Sequence, residues 1–205
     1  GLSTGSIFTG KAKTLSIDTL DFSAEDVWDQ IRAGYRIKPD YINLENGYYC
    51  FLPEETLEKY IAHIREINYQ ASYYMRGVQV ENKDKSAAAL AELVGASPEE
   101  VVLTRNTTES LDLIISGYPW NPGDEAIYAN QDYGTMQTMF ELASKRWGIK
   151  TVKVDIPMHP KSDDEVVEVY RKAITPKTKL LMVPHIVNIT GHILPVRKIA
   201  DMAHA

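Results

Sequence analysis

The sequence predicts an α/β fold in which a mostly parallel sheet is flanked by helices. Beyond Lys85, segments with helical periodicity alternate with short β-rich runs, which is typical of α/β proteins. The connections between these runs are long enough for right-handed crossovers, so consecutive strands are expected to be parallel. Over 205 residues, 44% hydrophobic and 24% charged positions also indicate a chain that can bury a sizeable core.

The first 85 residues predict an N-terminal arm and a segment of a small domain. Residues 1–20 have no sustained period and are expected to form the arm. In residues 21–85, Ser23 and Asp26 have the spacing of a capping box before a short helix. Residues 41–44 predict a strand that leads into an entry turn at Asn46-Gly47. A long amphipathic helix is expected next, with apolar residues at helical spacing: Leu57, Tyr60, Ile61, Ile64 and Ile67.

Residues 86–205 are expected to form the first part of a larger domain that this chain does not complete. The predicted strands are 101–104, 126–129, 151–154 and 179–183, and the predicted helices are 86–94, 108–116, 133–147, one from Ser162 to about Ile174, and one that begins with Pro195 in its first turn. In open parallel sheets, ligands bind at the carboxyl ends of the strands. The loops that follow these strands are therefore where function is expected.

Composition excludes several classes of partner and site. The formal charge of −6 comes from interspersed acidic and basic residues, so neither nucleic acid nor an anionic membrane surface is an expected partner. A single cysteine, Cys50, excludes a disulfide within the chain and is expected to be a buried apolar residue. No apolar run reaches the roughly 18 residues of a membrane span. The default compartment is the cytoplasm, and export of a processed chain stays open because the sequence starts at Gly1.

The first informative loop, residues 105–110, is a run of small polar residues that opens a helix. Unpaired backbone N–H groups and a partial positive charge at a helix N-terminus bind phosphate, and hydroxyl groups add donors. Asn106, Thr107 and Thr108 are the candidate ligands of such a phosphate. The alternative is an ordinary helix cap at Thr107 or Ser110, with no ligand.

The second and third loops offer an aromatic ring and an amide. Tyr133 follows the predicted strand 126–129, where its ring could stack on a flat heteroaromatic cofactor; the alternative is a helix cap by Asp132 with Tyr133 packed on the surface. Asn188 could donate to a phenolate oxygen, and His185 could transfer a proton. The alternative there is a plain turn.

In that plain turn, Gly191 would close the turn and Asn188 would bond to the backbone. Metal binding by His185 and His192 lacks a third ligand at a suitable spacing. Together, a phosphate cradle, a stacking ring and an amide donor at separate strand ends are the parts that pyridoxal 5′-phosphate requires.

The order of these motifs resembles the class V aminotransferase family of fold-type I pyridoxal-phosphate enzymes, which includes cysteine desulfurases and isopenicillin N epimerase-like proteins. The resemblance covers about residues 38–205 and is carried by Thr107-Thr108-Glu109, Tyr133, His185, Asn188 and Gly191. It implies that the two threonines hold the phosphate, Tyr133 stacks on the ring and Asn188 contacts the ring hydroxyl oxygen. Tyr133 and the Ile-Leu-Pro after Gly191 look more like the epimerase-like branch than the desulfurases.

The resemblance also implies residues for the substrate. The entry turn with Asn46, Gly47 and Tyr48 corresponds to a family segment near the substrate, and Arg76-Gly77 resembles a segment near the active site or the dimer partner. A homodimer is implied. An epimerase would need a second proton donor, for which Tyr48 and His185 are the candidates.

The implied activity is that of a pyridoxal-phosphate enzyme acting on an amino acid or amine through an external aldimine, as an epimerase, aminotransferase or desulfurase. The Schiff-base lysine and the aspartate that pairs with the pyridinium nitrogen are expected beyond Ala205, so the 205-residue chain alone is expected to be inactive. Two alternatives stay open. One is a nucleotide- or phosphate-binding α/β module, although the sequence lacks a Gly-x-Gly-x-x-Gly or Gly-x-x-x-x-Gly-Lys loop. The other is a non-catalytic remnant that serves dimerisation.

Overall fold

A computed structural model describes residues 21–205, so the arm expected at residues 1–20 lies outside the described residues. The chain divides into two compact units, with the division between Val102 and Leu103. The boundary expected after residue 85 falls inside a continuous helix, Gln79–Val94.

Unit 1, up to Val102, is helical in its described part. Its elements are α1 (Val27–Ala33), α2 (Glu54–Gln70), a π-helical segment (Tyr74–Val78), α3 (Gln79–Val94) and a 3₁₀ turn (Pro98–Glu100). Gly95 ends α3 with a left-handed backbone, φ +71°, a conformation that glycine adopts without steric strain. The helix predicted around Leu57–Ile67 and the helix end at Gly95 are both confirmed.

Two local predictions in unit 1 are wrong. Residues 41–44 form no strand, because a strand requires a paired neighbour, and β propensity alone does not supply one. The capping box at Ser23 and Asp26 is also absent. The Ser23 hydroxyl donates instead to Asp21, and Asp26 occupies the N-cap of α1, where its carboxylate accepts from the Gln30 side chain and caps no backbone N–H.

The apolar residues of α2 are poorly covered. None of its 17 residues is buried, and Tyr60 and Ile64 keep 59% and 50% of their surface exposed. The helix ends at Ala71, which has a positive φ of +46°. The amphipathic pattern therefore forms its helix without enclosing a core among the described residues.

Unit 2, from Leu103, contains a parallel three-stranded sheet in the order β2-β1-β3. Its elements are α4 (Thr107–Gly117), β1 (Glu125–Ala129), α5 (Gly134–Trp147), β2 (Lys150–Val154), α6 (Asp163–Ala173), β3 (Thr178–Leu181) and α7 (Val196–His204). Ile127 pairs with Val152 on one side and with Leu181 on the other. β1 is thus the central strand, and the α/β prediction with a parallel sheet is confirmed.

Two cores lie on the two faces of this sheet, because successive residues of β1 point to opposite sides. Ile127 and Ala129 pack with residues of α6 and α7, including Val166, Tyr170 and Ile199. Ala126 and Tyr128 pack with residues of α4 and α5, including Ile115, Met136 and Phe140. Burial on both faces explains why residues 126–129 of β1 are all apolar.

Most predicted elements of unit 2 are confirmed, with three corrections. Residues 101–104 form no strand. The strand predicted at 179–183 is present as β3, which begins one residue earlier and ends two residues earlier. Pro195 is the N-cap of α7 rather than its first helical residue. The predicted cap at Ser162 is present, since its side chain accepts from the Glu165 N–H. Across residues 21–205, no helix has the length and apolar character needed to cross a membrane.

Candidate functional site

The N-terminus of α4 carries the residues predicted to bind phosphate. Asn106 is the N-cap, with its Oδ1 accepting from the Glu109 N–H at 2.9 Å. The cap is therefore Asn106, and the expectation of Thr107 or Ser110 in that position is wrong. Ser110 instead shares a hydrogen bond with the Thr104 hydroxyl at 2.6 Å, which ties the first turn of α4 to the segment before it.

Thr107 and Thr108 are exposed at this helix end. Among the described residues, neither hydroxyl has a hydrogen-bond partner. The backbone N–H groups of the first helical residues have no partner within an α-helix, and in α4 the side chain of Asn106 satisfies only that of Glu109. Two hydroxyls and two N–H groups are thus available to an anion, which is the donor set that a phosphate monoester requires.

The negative charge of Glu109 does not oppose an anion at this site. Its carboxylate accepts from the Arg105 backbone N–H at 2.7 Å and from the Arg105 guanidinium. These hydrogen bonds hold the pKa of Glu109 below its usual range. Because the Arg105 charge balances the carboxylate, the partial positive charge of the helix end remains for a ligand.

The turn after β1, residues 130–133, is tightly bound to its surroundings. The Asp132 carboxylate accepts from the Ala129 N–H at 2.7 Å, and the Asp132 N–H donates to the Ala129 carbonyl at 3.1 Å. From α5, the Gln137 amide donates to the carbonyls of Asn130 and Asp132 at 3.0 and 2.7 Å. Gln131 donates to the Ile156 carbonyl at 2.7 Å.

Asp132 is a buried carboxyl group, with 5% of its surface exposed. Burial raises its pKa to about 6, and the hydrogen bond from Ala129 acts in the opposite direction. Its Oδ1 atom and the hydroxyl of Tyr170 are both buried without a hydrogen-bond partner in the described part of the chain. Burial raises the pKa of Tyr170, and the nearby Asp132 carboxylate raises it further.

Tyr133 occupies the N-cap position of α5 and keeps 39% of its surface exposed. The alternative in which Asp132 caps α5 is wrong, because its carboxylate is bonded to Ala129 at the end of β1. A Cβ atom placed on Gly134 would meet no atom within 4 Å. The backbone at Gly134, the first residue of α5, is therefore open to solvent on its Cβ side.

The loop after β3 forms a short hairpin with an exposed tip. Val187 N–H donates to the His192 carbonyl, and Leu194 N–H donates to the His185 carbonyl, both at 2.9 Å. Gly191 closes the turn with φ +73°, as the plain-turn alternative predicts. Asn188 is exposed at the tip and has no hydrogen bond within residues 21–205, so the alternative in which it bonds to the backbone is wrong.

The three loops are connected to different degrees. Helices α4 and α5 share one core through Ile115, Met136 and Phe140, so Thr107, Thr108 and Tyr133 lie on adjacent helices. The hairpin with Asn188 packs through Val187 and Leu194 into the core on the other face of the sheet.

His185 is exposed and lines an open cavity with Asp163 and the start of α7. No cluster of metal-binding side chains occurs in residues 21–205.

The substrate residues predicted from the resemblance all lie in unit 1. Residues 46–48 form the expected turn, in which the Asn46 side chain bonds to Asn43 and the Tyr48 N–H donates to the Glu45 carbonyl. Arg76 lies in the π-helical segment, a type of distortion that is frequent at functional sites. Cys50 is exposed, so the expectation of a buried Cys50 is wrong. The roles of Asn46, Gly47, Tyr48 and Arg76 stay predictions.

Asp132 is the residue that sequence reasoning missed. A polar residue before Tyr-Gly at the start of a helix has the spacing of an N-cap, and this interpretation hid the contact with Ala129. The available signal was the position of Asp132, three residues beyond a wholly apolar strand end, where a carboxylate can turn back onto the strand.

Comparison with known proteins identifies relatives of the chain. A family model described as class-V aminotransferase matches residues 52–205. Isopenicillin N epimerase of Streptomyces clavuligerus is 23% identical over 178 residues, which cover 87% of this chain and 45% of that protein. Cysteine desulfurase of Haloferax volcanii is 28% identical over 176 residues, covering 80% of this chain and 39% of that protein. The chain thus spans less than half the length of these curated relatives.

Solved structures share the fold. A mutant of C-DES, described with glycine covalently linked to its PLP cofactor, superposes with a TM-score of 0.68 at 20% identity and covers 80% of this chain and 43% of that one. The cysteine desulfurase CsdA of Escherichia coli superposes with a TM-score of 0.61 at 21% identity and covers 78% and 41%. At these identities the likeness establishes the fold-type I architecture.

Proposed function

Because the chain belongs to the class-V aminotransferase family, we propose that it forms the cofactor-holding part of a pyridoxal-phosphate enzyme that acts on an amino acid or amine. The observation that carries the proposal is the exposed start of α4, where Thr107 and Thr108 keep unpaired donors. The exposed ring of Tyr133 on the adjacent helix α5 supports it. Relatives described as isopenicillin N epimerase and cysteine desulfurase support the same substrate class.

In this proposal the residues of the chain bind and orient the cofactor. The hydroxyls and N–H groups of Thr107 and Thr108 donate to the phosphate, with Asn106 holding the helix end in place. The ring of Tyr133 stacks on the pyridine face and excludes water from it. The Asn188 amide, which has no partner in the described chain, donates to the ring hydroxyl oxygen.

When bound, the cofactor supplies an electron sink for bond breaking at the α-carbon of the substrate. The residues of this chain then determine where the substrate lies and where protons move. Asn46, Gly47 and Tyr48 in the entry turn and Arg76 are proposed to contact the substrate, and His185 is proposed to transfer a proton. A homodimer is proposed from the family resemblance.

Binding of pyridoxamine 5′-phosphate tests the proposal. This amine analogue cannot form Schiff bases with surface lysines, so its titration measures only non-covalent contacts. Each hydrogen bond to a charged phosphate contributes about 1.5–3 kcal/mol, so the double variant Thr107→Ala/Thr108→Ala should bind at least about tenfold more weakly. Thr138→Ala, an exposed threonine farther along α5, is the matched control and should leave the affinity unchanged.

A nucleotide-binding module is the competing function, since a helix N-terminus with free hydroxyls also suits a nucleotide phosphate. Parallel titrations with ATP and NAD distinguish the two. Tighter binding of either nucleotide than of pyridoxamine 5′-phosphate, or an unchanged affinity in the double threonine variant, would overturn the proposed function.

A further inference from the structure

Burial of the Asp132 carboxylate is energetically unfavourable in a turn. Removing an ionised carboxylate from water is unfavourable unless several donors compensate it. Asp132 has one such donor, the Ala129 N–H, while its Oδ1 atom has none in the described structure. An ordinary turn would be satisfied by a neutral side chain, and perturbed buried carboxyl groups tend to occur at functional sites.

The position of Asp132 suggests what the carboxylate does. Its N–H, its carbonyl and its Oδ2 atom all have partners, and these partners belong to β1 and α5. Asp132 is therefore fixed between the last residue of the central strand and a residue one turn into α5. The next residue in the chain is Tyr133, the N-cap of that helix.

The groups that interact with Asp132 indicate that it links elements of the structure rather than transferring a proton to a ligand. Tyr170 of α6 is the titratable group that interacts with it, and the Gln137 side chain of α5 bonds to its carbonyl. With 5% of its surface exposed, the Asp132 carboxyl group is shielded from a ligand in solvent, whereas Tyr133 keeps 39% of its surface exposed.

We infer that Asp132 is a positioning residue for Tyr133: by accepting from the Ala129 N–H it closes the turn after β1 and fixes the ring that stacks on the cofactor. The inference rests on the proposed function, because Tyr133 is the proposed stacking residue. It assigns to the chain a second layer of the site, in which a buried acid determines the position of an exposed ring.

Two ligands separate positioning from simple stability. Inorganic phosphate reports the donors at the start of α4, and pyridoxamine 5′-phosphate reports those donors together with the ring contact. Asp132→Ala should weaken pyridoxamine 5′-phosphate about tenfold and leave phosphate within about twofold, since only the ring contact is displaced. Asp132→Asn keeps an acceptor for Ala129 and should restore affinity to within about threefold of the unaltered protein.

Two further variants complete the design. Asp201→Ala removes an exposed aspartate of α7 that bonds to Arg197 rather than to the turn and serves as the matched control, with both affinities unchanged. Gln137→Met removes the two amide contacts that hold the turn from α5. It should give the same selective loss, to a smaller degree, and it keeps the test decisive if Asp132→Ala does not fold.

A double-mutant cycle with Tyr133→Ala identifies the route of the effect. If Asp132 acts through Tyr133, the Asp132→Ala change should cost less than about twofold in the Tyr133→Ala background. An undiminished loss in that background would overturn the inference. So would native affinity in Asp132→Ala, or equal loss of both ligands together with no selective loss in Gln137→Met.

The outcomes also separate this inference from the function on which it rests. If the unaltered chain does not bind pyridoxamine 5′-phosphate, the proposed function fails and the role of Asp132 fails with it. If the chain binds and the threonine variant weakens binding, while the Asp132 and Gln137 variants behave as the unaltered protein, only the inference about Asp132 fails.

Discussion

Helix α2 and strand β1 contain similar apolar residues and have opposite surroundings. β1 buries four of its five residues between two layers of helices. α2 buries none of its 17, and aromatic and aliphatic side chains stay exposed along it. The periodicity of apolar residues thus fixes which face of an element is apolar, whereas burial depends on whether other elements cover that face. The candidate phosphate and ring sites lie in the covered unit.

Truncation of a core side chain should give the largest difference between the two regions. Phe140 is fully buried and stacks on Tyr128 with ring centroids 5.0 Å apart, so Phe140→Ala should lower the free energy of unfolding by about 3–5 kcal/mol. Tyr60→Ala on α2, where the ring is 59% exposed, should lower it by less than about 0.5 kcal/mol. Urea denaturation followed by circular dichroism measures both. Equal losses would contradict the contrast.

The substitution Asp132→Asn should have the opposite effect to Phe140→Ala and stabilise unit 2. The folded pKa of about 6 lies above the usual value of 3.8, so folding favours the protonated carboxyl and the ionised form is the penalised one. The unaltered protein therefore loses stability as the pH rises from about 4 through about 6. Above about pH 7, the variant should be more stable by about 2 kcal/mol.

The pH dependence is the decisive part of this measurement. Below about pH 3 the advantage of Asp132→Asn should vanish, because Asp132 is then protonated in both states. Asp155→Asn, which changes an exposed aspartate near the same turn, is the control and should change stability by less than about 0.5 kcal/mol at pH 7. A variant that is less stable than the unaltered protein at every pH would show that the hydrogen bond outweighs the burial of charge.

Loss of the α4 cap should have a smaller effect. Asn106→Ala leaves the Glu109 N–H without its acceptor and should lower stability by about 1 kcal/mol. Thr135→Ala in the first turn of α5, where no side-chain cap is present, is the control and should be nearly neutral. Thermal unfolding measures both variants, and equal melting temperatures would argue against a stabilising cap at Asn106.

A surface ion pair should give the smallest effect. Lys198 of α7 bonds to Asp163 and Asp164 at the start of α6, at 3.1 and 3.2 Å. These side chains are exposed, so Lys198→Gln should lower the melting temperature slightly at low salt, and the difference should disappear in about 1 M salt, where screening acts within about 3 Å. A loss that is independent of salt would indicate packing rather than charge.

The helices and the central strands were predictable from sequence because their signals are local. Gly95 and Gly148 end α3 and α5 in left-handed conformations, and Ser162 caps α6, as each residue type favours. The strands expected at 41–44 and 101–104 were wrong because pairing with a distant segment decides a strand. Sequence gives no local signal for the presence of that segment.

The exposed residues of the candidate site were predictable from the sequence, whereas the buried residue Asp132 was not. Thr107, Thr108 and Tyr133 follow from motif order, and the structure leaves all three exposed. Asp132 was not foreseen, since its role depends on burial and on the orientation of one carboxylate toward Ala129. Such properties arise only when β1, α5 and α6 are packed together.

The hydrogen bond from Ala129 to Asp132 also has a consequence for the motions of the sheet. The N–H of this last residue of the central strand is held by a three-residue turn, whereas Ile127 lies between two paired strands. Exchange of the Ala129 amide hydrogen with solvent therefore requires the turn to open, while exchange at Ile127 requires separation of strands. One amide at the end of β1 thus reports how often the Tyr133 turn opens.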